Sequence, residues 1–159
     1  MTLDSDVARL ARTRPFNLMP REAVQLVAFS SQKRRLSAGD SLFHVGETGD
    51  AGFFVLKGTI GLIEKGAAPD CARRVGAGAL IGEGALYAPV VRRVEALVLE
   101  DAVVTRIPGE IVRRVLTEFP EAAGKVRASL AERTRLLVEG LDAARIRSFA
   151  PALRARSAP

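Results

Sequence analysis

Between the thirties and Ile107 the chain is a series of short apolar or alternating runs cut by glycine: RRLSAGDSLF, HVGETGD, AGFFVLKGTIGLIEKG, ARRVGAGALIG, VEALVLED and AVVTRIP. This texture constrains the fold more than any other feature. Short β-rich runs separated by turn residues predict an antiparallel sandwich or barrel of about eight strands. Gly39-Asp40, Gly49-Asp50 and Gly66 supply turn positions, and AAPD at residues 67–70 supplies a hairpin tip.

Both flanks read as helix. Residues 4–14 and 20–32 carry the first two, with Pro20 suited to a first turn and Ala23, Val24, Leu26 and Val27 forming an apolar stripe. After Pro108, PGEIVRRVLTEF predicts a short helix that Pro120 ends, and Pro120 opens the next one. That helix is expected to run from Pro120 to Phe149. Its apolar line is Val126, Leu130, Leu137, Leu141 and Ala144, with Thr134 completing a 3–4 rhythm. A small barrel does not bury so long a helix, so part of it is expected to lie on a second copy of the chain or another protein. The alternative is a monomer whose last helix folds back over the barrel mouth. The division this suggests is a domain at residues 1–119, a helix at 120–149 and a frayed tail at 150–159.

The chain's 159 residues suit one domain with a real core. One cysteine, Cys71, leaves no internal disulfide and fits a reducing, cytoplasmic setting. One histidine, His44, together with Cys71 does not make a protein-only zinc site of the usual kind. No apolar run approaches the roughly 18 residues of a membrane span. The start, MTLDSDVARLARTR, carries acids and no apolar signal core. The net charge is +6, and residues 120–159 hold eight basic side chains against four acidic ones. Basic excess raises nucleic acid or an anionic membrane as partners. Interspersed acids and the lack of interleaved aromatics favour a solvated, arginine-rich helix face. No nucleophile–base pair and no metal-binding cluster stands out, so the chain is expected not to be an enzyme.

One stretch holds the chemistry: LIGEGALYAPVVRRVEA, residues 80–96. A carboxylate, a guanidinium, small residues and a proline sit between two apolar runs. Taken alone, this is either a pocket for a charged ligand or a hairpin closed by a Glu83–Arg92 salt bridge.

This stretch resembles the phosphate-binding cassette of the cyclic nucleotide-binding domain family, the sensor domain of Crp/Fnr-type regulators and of cyclic-nucleotide-dependent kinases and channels. LSAGDSLFHVGETGDAGFFVLKGTIGLI (residues 36–63), whose glycines at 39, 46, 49 and 58 fall where that family turns between strands, carries the likeness too. So does LEDAVVTRIPGEIVRRVLTEFPE (residues 99–121), and PFNLMPREAVQLVAFSSQKRRL fits as well. The likeness spans about residues 8–148.

The resemblance implies an α+β fold, an antiparallel jelly-roll-like β-roll or barrel flanked by N-terminal helices and a long C-terminal helix. It implies a cAMP- or cGMP-binding sensor that signals through that helix, with no cofactor beyond the ligand. By match, Glu83 takes the ribose hydroxyl, Arg92 the phosphate, and Gly82, Gly84 and Ala85 line the turn. In the Crp-like subset a polar residue of the long helix meets the purine; the matching position is Leu137, with Thr134 one turn earlier.

Three positions depart from the pattern. Gly84 replaces a larger apolar residue, Arg93 a small one, and Glu95 a Ser or Thr. Arg93 adds charge if it faces the phosphate, whereas Glu95 there would repel it. These departures keep open a degenerate, non-binding interaction module. A truncated Crp/Fnr-type regulator is the other alternative. Only ten residues follow Phe149, too few for the helix-turn-helix such regulators append, so no direct DNA binding is expected. His44 is expected at the surface, and Cys71 in a loop with no role.

Overall fold

The computed structural model describes residues 3–156, with the side-chain surroundings of residues 3–142. By contacts the chain divides into two compact units, Met1–Ala122 and Ala123–Pro159.

Two long strands carry the first unit. β4 (Ala51–Glu64) and β8 (Val94–Pro108) run antiparallel, pairing from Ala51 opposite Pro108 to Glu64 opposite Val94. β1 (Gln32–Leu36) and β2 (Ser41–Phe43) pair with β8. β5 (Arg73–Val75) and β6 (Leu80–Ile81) pair with β4. A separate ribbon joins β3 (Thr48–Gly49) to β7 (Val90–Val91). The result is the expected antiparallel roll, with a difference in its wiring. VEALVLED and AVVTRIP, read as two strands, are one. Glu100 and Asp101 do not break it, because β4 shifts register opposite them between Val55 and Ile60 and keeps pairing. AAPD does sit in the β4–β5 connection.

Alternation places one face of each strand inside. Phe43, Phe53, Val55, Ile60, Ile81, Ala96, Val98, Ala102 and Val104 form a single buried cluster. At roughly 25 cal/mol per Å² of apolar area, this burial is the main stabilising contribution to the roll.

The N-terminal helices are shorter than their sequence suggests. α1 (Leu3–Leu10) buries Val7 and Leu10. α2 (Arg21–Phe29) begins just after Pro20 and buries Ala23, Val24, Val27 and Ala28. Leu26, assigned above to the apolar stripe, is exposed instead, as is Phe29. The helix expected to reach residue 32 stops because QKRRL pairs with β8 as β1, and strand pairing overrides its helix propensity. α3 (Gly109–Glu118) buries Val112 and Val115.

α4 (Pro120–Arg156) starts at Pro120 as expected and runs past Phe149. On it Leu136, Leu137, Val138 and Leu141 are each at least half exposed. Arg135 hydrogen-bonds Glu132 at 2.6 Å and Glu139 at 3.0 Å, the i,i+3 and i,i+4 partners a helix surface brings together.

Candidate functional site

Arg92 is the only buried charged side chain among the described residues, 6% exposed. Its backbone is fixed from both sides. The Arg92 N–H donates to the Glu47 carbonyl, and the Gly46 N–H donates to the Arg92 carbonyl, each at 2.8 Å. The guanidinium lies 4.1 Å from the Phe43 ring centroid, a cation–π contact. Its Nη2 donates to the Ala51 carbonyl at 2.6 Å. Its Nε has no hydrogen-bond partner among the described residues.

Two glycines make the slot for this side chain. A Cβ at Gly49 would overlap the guanidinium itself. A Cβ at Gly82 would press on its Nη1, and Gly82 holds φ +73, a left-handed conformation that favours glycine. Burial pulls the guanidinium below the usual arginine range. Asp50 and Glu47 oppose that shift, and Arg106 adds to it. An arginine remains charged even so.

From Gly82 the chain enters a 3-10 turn at Glu83–Leu86. Ala85 and Leu86 anchor it, both fully buried. Tyr87 Oη donates to the Glu83 carboxylate at 2.8 Å. α3 starts hard against this turn. The Gly109 N–H donates to the Asp50 carbonyl at 2.7 Å, and a Cβ at Gly109 would collide with the Ala85 carbonyl.

A cavity of about 590 Å³ opens beside the slot, within the rough 300–1,000 Å³ range of small-molecule sites. Phe43, Leu62 and Ile81 give it an apolar wall; Arg92, Arg93, Arg73 and Glu64 supply its charge. Of the sequence-derived site residues, Gly82, Arg92 and Arg93 line it. Glu83, Gly84 and Ala85 lie on the adjoining turn and do not: Tyr87 engages Glu83, Gly84 is exposed and Ala85 is buried in the anchor. Thr134 and Leu137 are on α4, in the second unit. The Thr134 hydroxyl donates to its own helix at the Leu130 carbonyl, 3.0 Å away, and Leu137 is 68% exposed.

The Glu83 carboxylate accepts from Tyr87 and the Arg92 guanidinium donates to the Ala51 carbonyl. Glu95 is not the phosphate neighbour that the departures raised. It points to the outer face of β8, accepts from Ser41 Oγ at 2.9 Å and pairs with His44 Nδ1 at 3.2 Å. His44 is at the surface, as expected. Cys71 lies in the β4–β5 connection, exposed, where it also lines the cavity. Sequence reasoning also missed Arg73, Glu64, Phe43 and Tyr87. Alternation in ARRV would have separated Arg73 from Arg74, and the four-residue spacing of Glu83 and Tyr87 was visible. Nothing local pointed to Cys71. Among the described residues no group of His, Cys, Asp and Glu suits a metal ion, and no helix is long and apolar enough to cross a membrane.

The same residues match a known family. The cyclic nucleotide-binding domain matches residues 33–119, more than half of the chain, and the chain belongs to that family. A solved cyclic nucleotide-binding-like protein of Brucella abortus is 34% identical, covering 72% of this chain and 99% of that one, with a TM-score of 0.63. The N-terminal domain of a transcriptional regulator from Streptomyces coelicolor A3(2) is 27% identical, covering 84% and 94% respectively, with a TM-score of 0.71. Lysophospholipase NTE1 of Chaetomium globosum is 26% identical over 125 residues, 77% of this chain, and the match spans only 8% of that enzyme's length. Family and neighbours together make the chain a cyclic nucleotide-binding domain of jelly-roll-like fold.

Proposed function

We propose that this chain is a cyclic-nucleotide sensor whose cavity takes cAMP or cGMP and passes occupancy to α4. Arg92 holds the cyclic phosphate. Glu83, once released by Tyr87 or sharing it, holds the ribose hydroxyl. Arg92 carries the reading: a buried guanidinium on a cavity wall with its Nε unpartnered. A buried cation with spare donors costs free energy until an anion meets it. A cyclic phosphodiester supplies one negative charge and two oxygens for forked donors.

Residues 1–119 sense in this reading, and residues 120–149 report. The coupling route is short. The cassette carbonyl of Ala85 abuts Gly109 at the start of α3, and only Phe119 separates α3 from α4. A ligand that favours one arrangement of the cassette biases both helices, and a ligand indifferent to the arrangement does not. The apolar positions of α4 are the output surface, a homodimer contact or a dock for another protein. The module works as a cytoplasmic binding protein without catalysis.

Calorimetry with cAMP and with cGMP tests the site. We expect binding near the micromolar level, about −8 kcal/mol. Arg92→Ala and Glu83→Ala should each weaken it about tenfold or more, the scale of a lost charge-assisted bond. No heat from either nucleotide at high micromolar concentration sinks the proposal.

A second reading, an interaction module that keeps the fold without the ligand, draws on Glu83, whose carboxylate is engaged by Tyr87 and does not line the cavity. Thermal shift separates the two. A ligand at about 100 times its dissociation constant adds about 2.7 kcal/mol, and an unmoved melting temperature with every nucleotide selects the second.

A further inference from the structure

We infer that the preferred ligand is a nucleotide with two phosphate groups, the second held at the cavity mouth between Arg73 and Arg93. This rests on reading the cavity as a nucleotide site and names the ligand class. The cavity presents three guanidiniums, Arg92, Arg93 and Arg73, against one carboxylate, Glu64. One cyclic phosphodiester answers Arg92 and leaves the other two.

Those two are not consumed elsewhere. Among the described residues neither Arg73 nor Arg93 is in an ion pair. The adjacent Arg74 does have one, with Glu100 at 3.4 Å on the outer face. The acid two residues after Arg93, Glu95, is held by Ser41 and His44. Glu64 apart, no acidic side chain lining the cavity answers this positive charge.

Strand pairing sets the two arginines on either side of β4. Leu62 of β4 faces Arg73 on β5, and Glu64 faces Val94, the residue after Arg93, on β8. Two strand spacings across the sheet and about three residues along it separate their backbones, roughly 14 Å. Two long arginine arms can close that distance onto one phosphate. The volume of about 590 Å³ leaves room for more than a single small ring system. The shared chemistry is two phosphates on one nucleotide, with two sources: a cyclic dinucleotide, or a linear nucleoside bisphosphate.

The test is calorimetry on the full chain with four probes: cAMP, cGMP, cyclic diguanylate and guanosine 3′,5′-bisphosphate. One of the two-phosphate probes should bind at least about tenfold tighter than both mononucleotides, the scale of one added charge-assisted contact. Which of the two it is identifies the source. Arg73→Ala should erase the advantage while changing mononucleotide affinity by less than about threefold, since an exposed charge away from the ligand contributes little, and Arg93→Ala should weaken the two-phosphate probe more than either mononucleotide. Cys71, the only cysteine of the chain and an exposed part of the cavity wall, reports occupancy. Bound ligand should slow its alkylation by iodoacetamide.

Equal or tighter mononucleotide binding overturns the inference and leaves the sensor reading intact. Equal losses for both ligand classes in the Arg73 and Arg93 variants also overturn it, as does tight binding that leaves Cys71 alkylation unchanged. Failure of all four probes to bind removes the sensor reading and this inference together.

Discussion

Two arginines, one in each region of the chain, show how differently the regions are built. Arg92 in the β-roll is buried, and desolvation pulls its guanidinium below the ordinary range. Arg135 on α4 is exposed, and hydrogen bonds to Glu132 and Glu139 hold its guanidinium above that range. The apolar residues differ in the same sense. In the roll, Phe54, Ile60, Val98 and Val104 are at most 1% exposed, whereas Leu136, Leu137, Val138 and Leu141 on α4 are each more than half exposed. The roll buries its apolar side chains and opens a cavity beside Arg92. On α4 Arg135 is paired with Glu132 and Glu139, while Leu136, Leu137, Val138 and Leu141 stay open. A region that buries a cation on a cavity wall is suited to receive an anion. One with an unanswered apolar face is suited to receive another protein surface.

The contrast in packing predicts the largest effect. Phe54→Ala should destabilise the chain by about 3–5 kcal/mol, the cost of a cavity in a close-packed core. Leu137→Ala should change unfolding of the roll by less than about 0.5 kcal/mol, because a surface truncation creates no cavity. Urea denaturation followed by circular dichroism measures both. Leu137→Ala should instead raise the dissociation constant of any self-association seen by analytical ultracentrifugation. Comparable stability losses in the two variants, at all protein concentrations, would break the contrast.

Arg92 supplies the next prediction, because two opposing effects meet there. Arg92→Met removes a desolvated charge, which by itself stabilises. The change also leaves the Ala51 carbonyl without its donor, which destabilises. The folded-state pKa lies below the unfolded one, so the charged form is the disfavoured form in the fold. That penalty is present at every pH below the folded-state value and eases only as alkali removes the proton. The net change at neutral pH should stay within about 2 kcal/mol, while nucleotide affinity falls about tenfold or more. A stability loss as large as that of Phe54→Ala, seen in the same urea series, would make Arg92 a structural residue and not a ligand anchor.

Much of this was readable in the sequence where the signal is local. The glycine-cut runs announced the roll, Pro120 marked the start of α4, and LIGEGALYAPVVRRVEA held Gly82, Arg92 and Arg93, which line the cavity. What escaped was tertiary. Gly49 reads as a turn residue, yet its importance is the space it leaves for a guanidinium 43 positions along the chain. QKRRL has helical propensity and becomes β1 only because β8 is there to pair with it. Leu26 falls on the helical rhythm of α2, yet nothing packs over it. Glu95 was the exception, a miss with a local signal. In VEALV the inward residues are Val94, Ala96 and Val98, so alternation alone directs Glu95 outward.

The smallest effect belongs to Arg135, and its smallness is informative. Its partners Glu132 and Glu139 are exposed along with it, so solvent and salt screen all three charges. Its folded-state pKa is raised, so whatever the pairs contribute is fully present below the unfolded-state value and is lost only in strong alkali. Between pH 6 and pH 8 the residue should impose no pH dependence on melting. Arg135→Ala should therefore leave the melting curve of the chain unmoved at moderate salt, and leave nucleotide affinity unmoved as well. Differential scanning fluorimetry and the calorimetric titration read these two outcomes directly. A marked loss of self-association in Arg135→Ala, with the roll intact, would show that this charged stripe forms part of the surface on which α4 meets its partner. The contrast would then lie between a charge that holds a ligand and a charge that holds a protein.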